Sequence, residues 1–331
     1  MNRSPRMMAV GAIVALGLAS LTACNTEGDS SSSDDSGSSA SKDLTIGIAN
    51  QQMSVTFPAA LAKGAQSKAK ELGITLTVLD SQGDQAKQAS QVQDLVAQKV
   101  DGIILVPLSP GPAQALVDTA DAAGIKVGTA HGYVGADRDA DDPYDKLSFI
   151  VNEDEIGSGA TAGEMAVAAV PEGGKVAIVL GAAGFAENTN RVVEFESTLE
   201  EAGNFEVVAS QPGEWTKEGG QSACQGILAS SPDTALFYAI SDDMAVGCAA
   251  AVKAAGSDAK IIGIGGSASG VAAVKDGTIY GTVCYKPFTA GEEAVQQMYD
   301  TLTGNPPAEK VSFYDTPGVT QDNVDTCDPQ W

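Results

Sequence analysis

The sequence predicts an α/β protein of two similar lobes, each built on a parallel sheet, and three observations carry that prediction. From residue 44 onward, short apolar runs rich in β-branched residues alternate with amphipathic helical segments. The alternation stops at an acidic loop, GADRDADDPYDK (135–146), and starts again beyond it. Two stretches, residues 79–109 and 208–241, both run strand, Ser-Gln turn, helix, strand, serine. Continuous apolar strands separated by helices belong to parallel sheets covered on both faces.

Before the loop, LTIGIAN (44–50) reads as a strand and residues 57–73 as a helix stopped by Gly73. ITLTVLD (74–80) is a strand, 85–99 a helix, and VDGIILVPL (100–108) a strand. A helix near 111–123 leads to the strand IKVGTA (125–130). After the loop come the strands LSFIVN (147–152), GKVAIVLG (174–181), FEVVAS (205–210), TALFYAI (234–240) and KIIGIGG (260–266), with helical segments between them. Open parallel sheets bind ligands beyond the carboxyl ends of their strands, so two lobes with those ends facing make a cleft.

Ahead of this region, Arg3 and Arg6 precede an apolar run (7–21) and the tetrapeptide LTAC (21–24). A basic start, a short apolar stretch and small residues describe a secretory signal, too short for a membrane-spanning helix. LTAC resembles the lipobox of bacterial lipoproteins, which implies a signal peptide over 1–23 and acylation of Cys24. Residues 24–42, rich in serine, glycine and acids, read as a flexible tether.

The length of 331 residues accommodates two domains. Formal net charge is −24, and removing residues 1–23 takes away two arginines and no acids, leaving −26. Such a surface excludes nucleic acid as a partner and favours solubility. Besides Cys24 the chain has Cys224, Cys248, Cys284 and Cys327, an even number that suggests disulfides in an exported protein. Pairing neighbours, 224 with 248 and 284 with 327, is the simplest of three connectivities, and the sequence leaves the other two open. No C-x-x-C spacing or histidine cluster indicates zinc.

Catalytic chemistry finds little support. Nucleophile-base pairs need a base within reach, and the chain has one histidine, His131. There is no G-x-S-x-G elbow, and no carboxylate pair stands out. GIGGSASG (263–270) fits a dinucleotide fingerprint but closes the last strand of the second lobe, where a tight turn lining the cleft is expected instead. The D-x-D-x-D spacing within 135–146 lacks the later glycine and terminal glutamate of a calcium loop and reads as solvated. No catalytic residue, metal or cofactor is expected.

Five segments in order carry a resemblance: KGAQSKAKELG (63–73) with LDSQGDQAKQASQVQDL (79–95), SQPGEW (210–215), SDDMAVG (241–247) and AVKDGTIYGTV (273–283). Over residues 44–326 the chain resembles type I periplasmic and lipoprotein solute-binding proteins, the ribose-binding-protein group that serves ABC sugar importers. The lac-repressor family shares the fold, but this chain has a lipobox where those proteins carry a DNA-binding motif. The resemblance implies two Rossmann-like lobes joined by a three-strand hinge, with crossings near 152–154, 285–286 and 316–320. Residues 43–152 plus 286–316 would form the N-terminal lobe, and 153–285 plus 317–331 the C-terminal lobe.

The resemblance also implies a sugar or polyol stacked between aromatic rings, with polar side chains on its hydroxyls. By position, Phe57 and Trp215 take the aromatic places, since a ring face suits the C–H side of a sugar. His131, within GTAHGYVG (128–135), stands where sugar binders carry an aspartate, beside Gly132 in place of an arginine. Gly265 replaces another aspartate, Thr189 an arginine, Ser241 an asparagine and Tyr285 a glutamine. The helix start AENTNRVVEF (186–195) should aim Asn188, Thr189 and Asn190 at the cleft, with Arg191 bracing the helix. Asn152 is a hinge or contact residue, and Asp242 accepts a ligand hydroxyl or complements its helix N-terminus.

Loss of several charged contacts should alter the cargo, leaving room for a small aromatic, nucleoside-like or signalling molecule. The implied protein is a monomeric, lipid-anchored receptor on the outer face of the cytoplasmic membrane. It would hand its ligand to an ABC permease; a sensory receptor of the same fold is the alternative, and a lipid-anchored enzyme is disfavoured. An ordinary imidazole changes charge between about pH 5 and 8, so a His131 contact should make affinity titrate there.

Overall fold

A computed structural model describes residues 43–331; the signal segment, the lipobox Cys24 and the tether lie outside the described residues. The first elements are β1 (Thr45–Asn50), α1 (Thr56–Leu72), β2 (Thr75–Asp80), α2 (Gln85–Gln98), β3 (Gly102–Leu105), α3 (Pro110–Ala122), β4 (Lys126–Ala130) and β5 (Leu147–Glu153). The chain continues through α4 (Glu155–Ala169), β6 (Gly174–Leu180), α5 (Glu187–Ala202), β7 (Phe205–Pro212), α6 (Lys217–Ser230) and β8 (Thr234–Ala239). There follow α7 (Asp242–Ala255), β9 (Lys260–Gly265), α8 (Ala268–Lys275), β10 (Gly281–Cys284), α9 (Pro287–Leu302), β11 (Val311–Tyr314) and β12 (Gly318–Thr320).

These elements build two six-stranded sheets, ordered β2-β1-β3-β4-β5-β11 and β7-β6-β8-β9-β10-β12. Every pairing is parallel except that of β12 with β10. The strands are apolar on both faces because helices cover both: Ile46, Ile48, Ile103 and Ile104 are all buried. Each such side chain contributes about 1.5–3 kcal/mol.

Local signals start and stop the helices. Leu61, Ala65 and Ala69 recur every four residues and form the buried face of α1. Gly73 ends that helix with φ +68°, its N–H reaching the Lys70 carbonyl. Asp84 starts α2, its carboxylate accepting from the N–H groups of Ala86 (2.8 Å) and Lys87 (3.0 Å).

The chain passes between the sheets three times. It leaves β5 at Asp154, the cap of α4, and α4 packs beside β9 and β10. After β10 it returns through Tyr285 and Lys286 into α9, which lies against α1 and β3 to β5. Between β11 and β12 it crosses again. The α1–α9 contact is close: a Cβ on Gly64 would lie 1.8 Å from the Phe288 carbonyl oxygen, and one on Gly291 2.0 Å from that of Leu61.

Two details differ from the sequence reading. β3 stops at Leu105, short of the apolar run, where Pro107 has no N–H to continue a ladder. The strands β10, β11 and β12 are absent from the reading of apolar runs, and only the resemblance implied strands at these crossings; at three or four residues each, they are too short to show a period. Both disulfides join neighbours in sequence, Cys224 with Cys248 and Cys284 with Cys327.

Because backbone fills the space at Gly64, Gly64→Val should lower stability by about 1–3 kcal/mol, the usual cost of overpacking. Urea denaturation checks this, and an unchanged midpoint would mean that the helices separate without cost.

Candidate ligand-binding site

Both sheets end their parallel strands at one cavity of about 110 Å³, room for several waters or one small solute. From the first sheet, Gln51 and Gln52 follow β1, Phe57 opens α1, Leu108 follows β3 and His131 follows β4. From the second, Phe185, Glu187 and Arg191 follow β6, Trp215 follows β7, and Ser241 and Asp243 follow β8. Gly265 closes β9, Tyr285 follows β10, and Trp331 completes the wall.

Two of these residues hold a left-handed backbone that disfavours side chains, His131 at φ +58° and Trp215 at φ +60°. Strain of that kind, about 1–3 kcal/mol, survives where surroundings over-determine it. The His131 N–H donates to the Val151 carbonyl (3.0 Å), and that of Gly132 to the Asn152 side chain (3.1 Å). The Trp215 turn is pinned by Gly213 donating to Leu180 (2.7 Å) and Thr216 donating to Gly213 (3.0 Å). Trp215 leaves its indole N–H buried and without a hydrogen-bond partner among the described residues.

Beneath the cavity lies a buried charge network. The His131 Nδ1 contacts the Glu153 carboxylate, and its Nε2 lies 3.3 Å from Glu187. Glu153 also accepts from the Tyr314 hydroxyl (3.0 Å). Arg191 forks onto Glu155, with Nη2 at 2.7 Å from Oε1, and donates from Nη1 to the Ile240 carbonyl (2.7 Å). Tyr285 donates to the same Glu155 (2.9 Å), and the guanidinium lies 5.1 Å from the Tyr285 ring.

Burial disfavours the imidazolium, yet the facing Glu153 and Glu187 outweigh it and raise the His131 pKa to about 10. Burial also opposes the Glu153 carboxylate, and His131 overrides it, lowering that pKa to about 2. For Glu155 burial wins: despite Arg191, its carboxyl is pushed up to about 7. His131 is therefore a standing cation, not the group that titrates between about pH 5 and 8 as an ordinary imidazole does. His131, Glu153 and Glu155 offer atoms within 4.8 Å of one another, the geometry of a metal site. Each already has a protein partner: His131 and Glu153 contact one another, and Arg191 forks onto Glu155.

Of the residues expected at the site, Phe57, His131, Trp215, Ser241, Gly265 and Tyr285 line the cavity. Asn152 holds the Gly132 turn from behind. Asn188 turns back on its own loop, accepting from the Gly181 N–H (2.8 Å) and donating to the Ala182 carbonyl (2.6 Å). Thr189 is exposed and Asn190 half-buried, and neither borders the cavity. Asp242 is fully buried, accepting from the Ser267 N–H (2.7 Å) and the Thr282 hydroxyl (2.6 Å), and burial raises its pKa to about 6. Arg191 both braces α5 and faces the cavity.

Sequence reasoning missed Glu187, Phe185, Gln51, Asp243 and Trp331 in the wall, and Glu153 and Glu155 below it. A signal existed for one of them. Glu187 and Arg191 are four apart on α5 and share a face, whereas residues 188–190 turn away.

A cavity between the facing carboxyl ends of two parallel sheets, crossed three times by the chain, defines a bilobal ligand receptor. Residues 46–306 match the periplasmic binding protein domain family, and the chain belongs to it. It is 29% identical over 304 residues to the ribose import binding protein RbsB of Bacillus subtilis, covering 92% of this chain and 96% of that protein. It is also 29% identical to a xylitol-binding protein of Mycolicibacterium smegmatis, covering 99% of this chain and 89% of the relative. An ABC transporter solute binding protein from Mycobacterium smegmatis, solved with bound glycerol, superposes with a TM-score of 0.78 at 27% identity, over 86% of this chain and 96% of that one. Type I periplasmic binding proteins share this two-sheet α/β architecture.

The shifted pKa values set a pH dependence of stability. With its folded value raised from 6.5 to about 10, His131 contributes stability that is complete below about pH 6.5 and lost as pH rises toward 10. Glu153, lowered to about 2, contributes above about pH 4.5 and loses that contribution as pH falls toward 2. Glu155 adds a penalty that grows between about pH 4.5 and 7, because the folded state holds its proton longer. Melting curves from about pH 5 to 9.5 should show an alkaline decline that His131→Gln flattens. The same slope in both proteins would contradict the charged imidazole.

Proposed function

We propose that the chain is a solute receptor that closes its cleft on a single sugar or polyol and delivers it to an ABC importer. The observation that carries this is the mixed lining of one small cavity, with aromatic rings at Phe57 and Trp215 beside acceptors at Glu187 and Asp243. A sugar has this same pattern, an apolar C–H face and hydroxyls at its rim. The ribose-binding and xylitol-binding relatives support the choice of cargo. Among the expected contacts, Asn152, Asn188 and Asp242 act in this reading through the backbone they hold.

The working lobes are residues 43–152 plus 286–316 and 153–285 plus 317–331. Contacts from both lobes stabilise the closed state more than the open one, and that difference drives closure. Export, a lipid anchor through Cys24 on the outer face of the membrane, and a monomeric state complete the proposal. Binding without turnover is its mechanism, in keeping with relatives named as binding proteins.

A thermal-shift screen of refolded, ligand-stripped protein tests the cargo. A ligand present at 1,000 times its Kd stabilises the fold by about 4 kcal/mol. Sugars and polyols should produce that shift; a response to nucleosides or small aromatic acids alone would reassign the site. Trp215→Ala should weaken the responding ligand about tenfold or more, roughly 1.4 kcal/mol, and leave the unliganded melt in place. Equal affinity would remove Trp215 from the site.

A further inference from the structure

The cavity has one wall that neither sheet supplies. Gly265 and Gly266, at the end of β9, have φ values of +143° and +60°. A Cβ on Gly265 would stand 2.6 Å from the Trp331 ring, and one on Gly266 2.8 Å from the Cys327 sulfur. The glycine pair is thus room that residues 327–331 fill.

That segment is held along its length. Cys327 is bonded to Cys284, the residue before Tyr285. Gln330 exchanges two hydrogen bonds with Thr289 at the start of α9, at 3.1 and 2.8 Å. The Trp331 carbonyl accepts from the Ala268 N–H (2.8 Å), and its indole N–H donates to the Gly265 carbonyl (2.9 Å). Thr289 belongs to the helix covering the first sheet, and Gly265 and Ala268 to the second. The indole's one donor is consumed by backbone, so what Trp331 turns toward the cavity is apolar surface. Its ring meets Phe57 edge to face at 5.6 Å, and Phe57 in turn packs on His131 at 4.5 Å.

We propose that Trp331 is a specificity-determining wall of the cleft, locked in place by the Cys284–Cys327 disulfide, that limits the site to one monosaccharide or a short polyol. The inference rests on the sugar and polyol reading above. With Phe57, Trp331 forms an apolar corner for the C–H face of the ligand, leaving hydroxyls to the acidic side at Glu187 and Asp243. Removing the indole enlarges the cavity at Gly265, so that larger ligands are no longer rejected.

Calorimetric titration of the wild-type chain, Trp331→Ala and Trp331→Phe with D-ribose, xylitol, myo-inositol and the disaccharide maltose tests this. In Trp331→Ala the best of the three small probes should bind about tenfold or more weakly, while its preference over maltose narrows or reverses. Trp331→Phe, which keeps a smaller ring, should lose about threefold and retain the preference. Cys284→Ala/Cys327→Ala should shift selectivity in the same direction as Trp331→Ala, and wild-type selectivity there would remove the disulfide from the role. Wild-type affinities and preferences in both Trp331 variants would overturn the proposal, and Trp331→Phe alone decides if Trp331→Ala proves unfolded by circular dichroism. A wild-type chain that binds none of the four probes overturns the sugar and polyol reading itself, and this inference with it.

Discussion

Pairing of buried charge at the first crossing is the constraint on which the cleft depends. Removing an ion from water costs several kcal/mol even after relaxation, and five ionisable side chains meet here: His131, Glu153, Glu155, Glu187 and Arg191. They divide into two sets. Glu153 ends a strand of the first sheet and takes its partners, His131 and Tyr314, from that sheet. Glu155, two residues on, opens a helix beside the second sheet and takes Arg191 and Tyr285 from there. The 3.3 Å approach of His131 to Glu187 joins the sets. A rotation of one sheet against the other would keep the pairs within each set and strain the links between the sheets, among them His131–Glu187 and Gln330–Thr289. The crossing is thus the place where buried charge from both sheets is paired.

The strained residues sit at the same boundary. His131 and Trp215 adopt left-handed backbones at opposite sides of the cavity, each enforced by hydrogen bonds from its own sheet. Neither strain can relax without breaking those bonds, so both rings are presented in one orientation. Rigid presentation within each lobe, with freedom between lobes, is what a receptor working by closure requires.

Much of the fold was legible in the sequence, because strand and helix periods are local and Gly73 and Asp84 mark their own boundaries. Short strands such as β10 to β12 were not, since three or four residues carry no period. Site residues divided in the same way. Phe57 opens the helix that follows β1, and Trp215 and His131 stand in turns after recognisable strands, where the end of a parallel sheet gives them an address. Glu153 and Glu155 come at the end of an apolar strand and read as ordinary surface acids, because their partners, His131 and Tyr314 for Glu153 and Arg191 and Tyr285 for Glu155, come from other elements. Asp242 misled for the opposite reason: a carboxylate at a helix start looks available, but Ser267 and Thr282, 25 and 40 residues further on, occupy it. Trp331 has no local signal, as its position depends on a disulfide and on two glycines far upstream.

The glycine-to-backbone contact of α1 with α9 bears on how the molecule assembles in time. The helix that covers α1 is encoded more than two hundred residues later, and β11, the edge of the same sheet, later still. A chain emerging N-terminus first therefore displays the apolar side of α1 and the open edge of β5 while the whole second sheet is made. Loop closure over such a span is slow, and a half-covered sheet is not a stable unit. The first sheet therefore gains its full cover only once the C-terminal segment has been made.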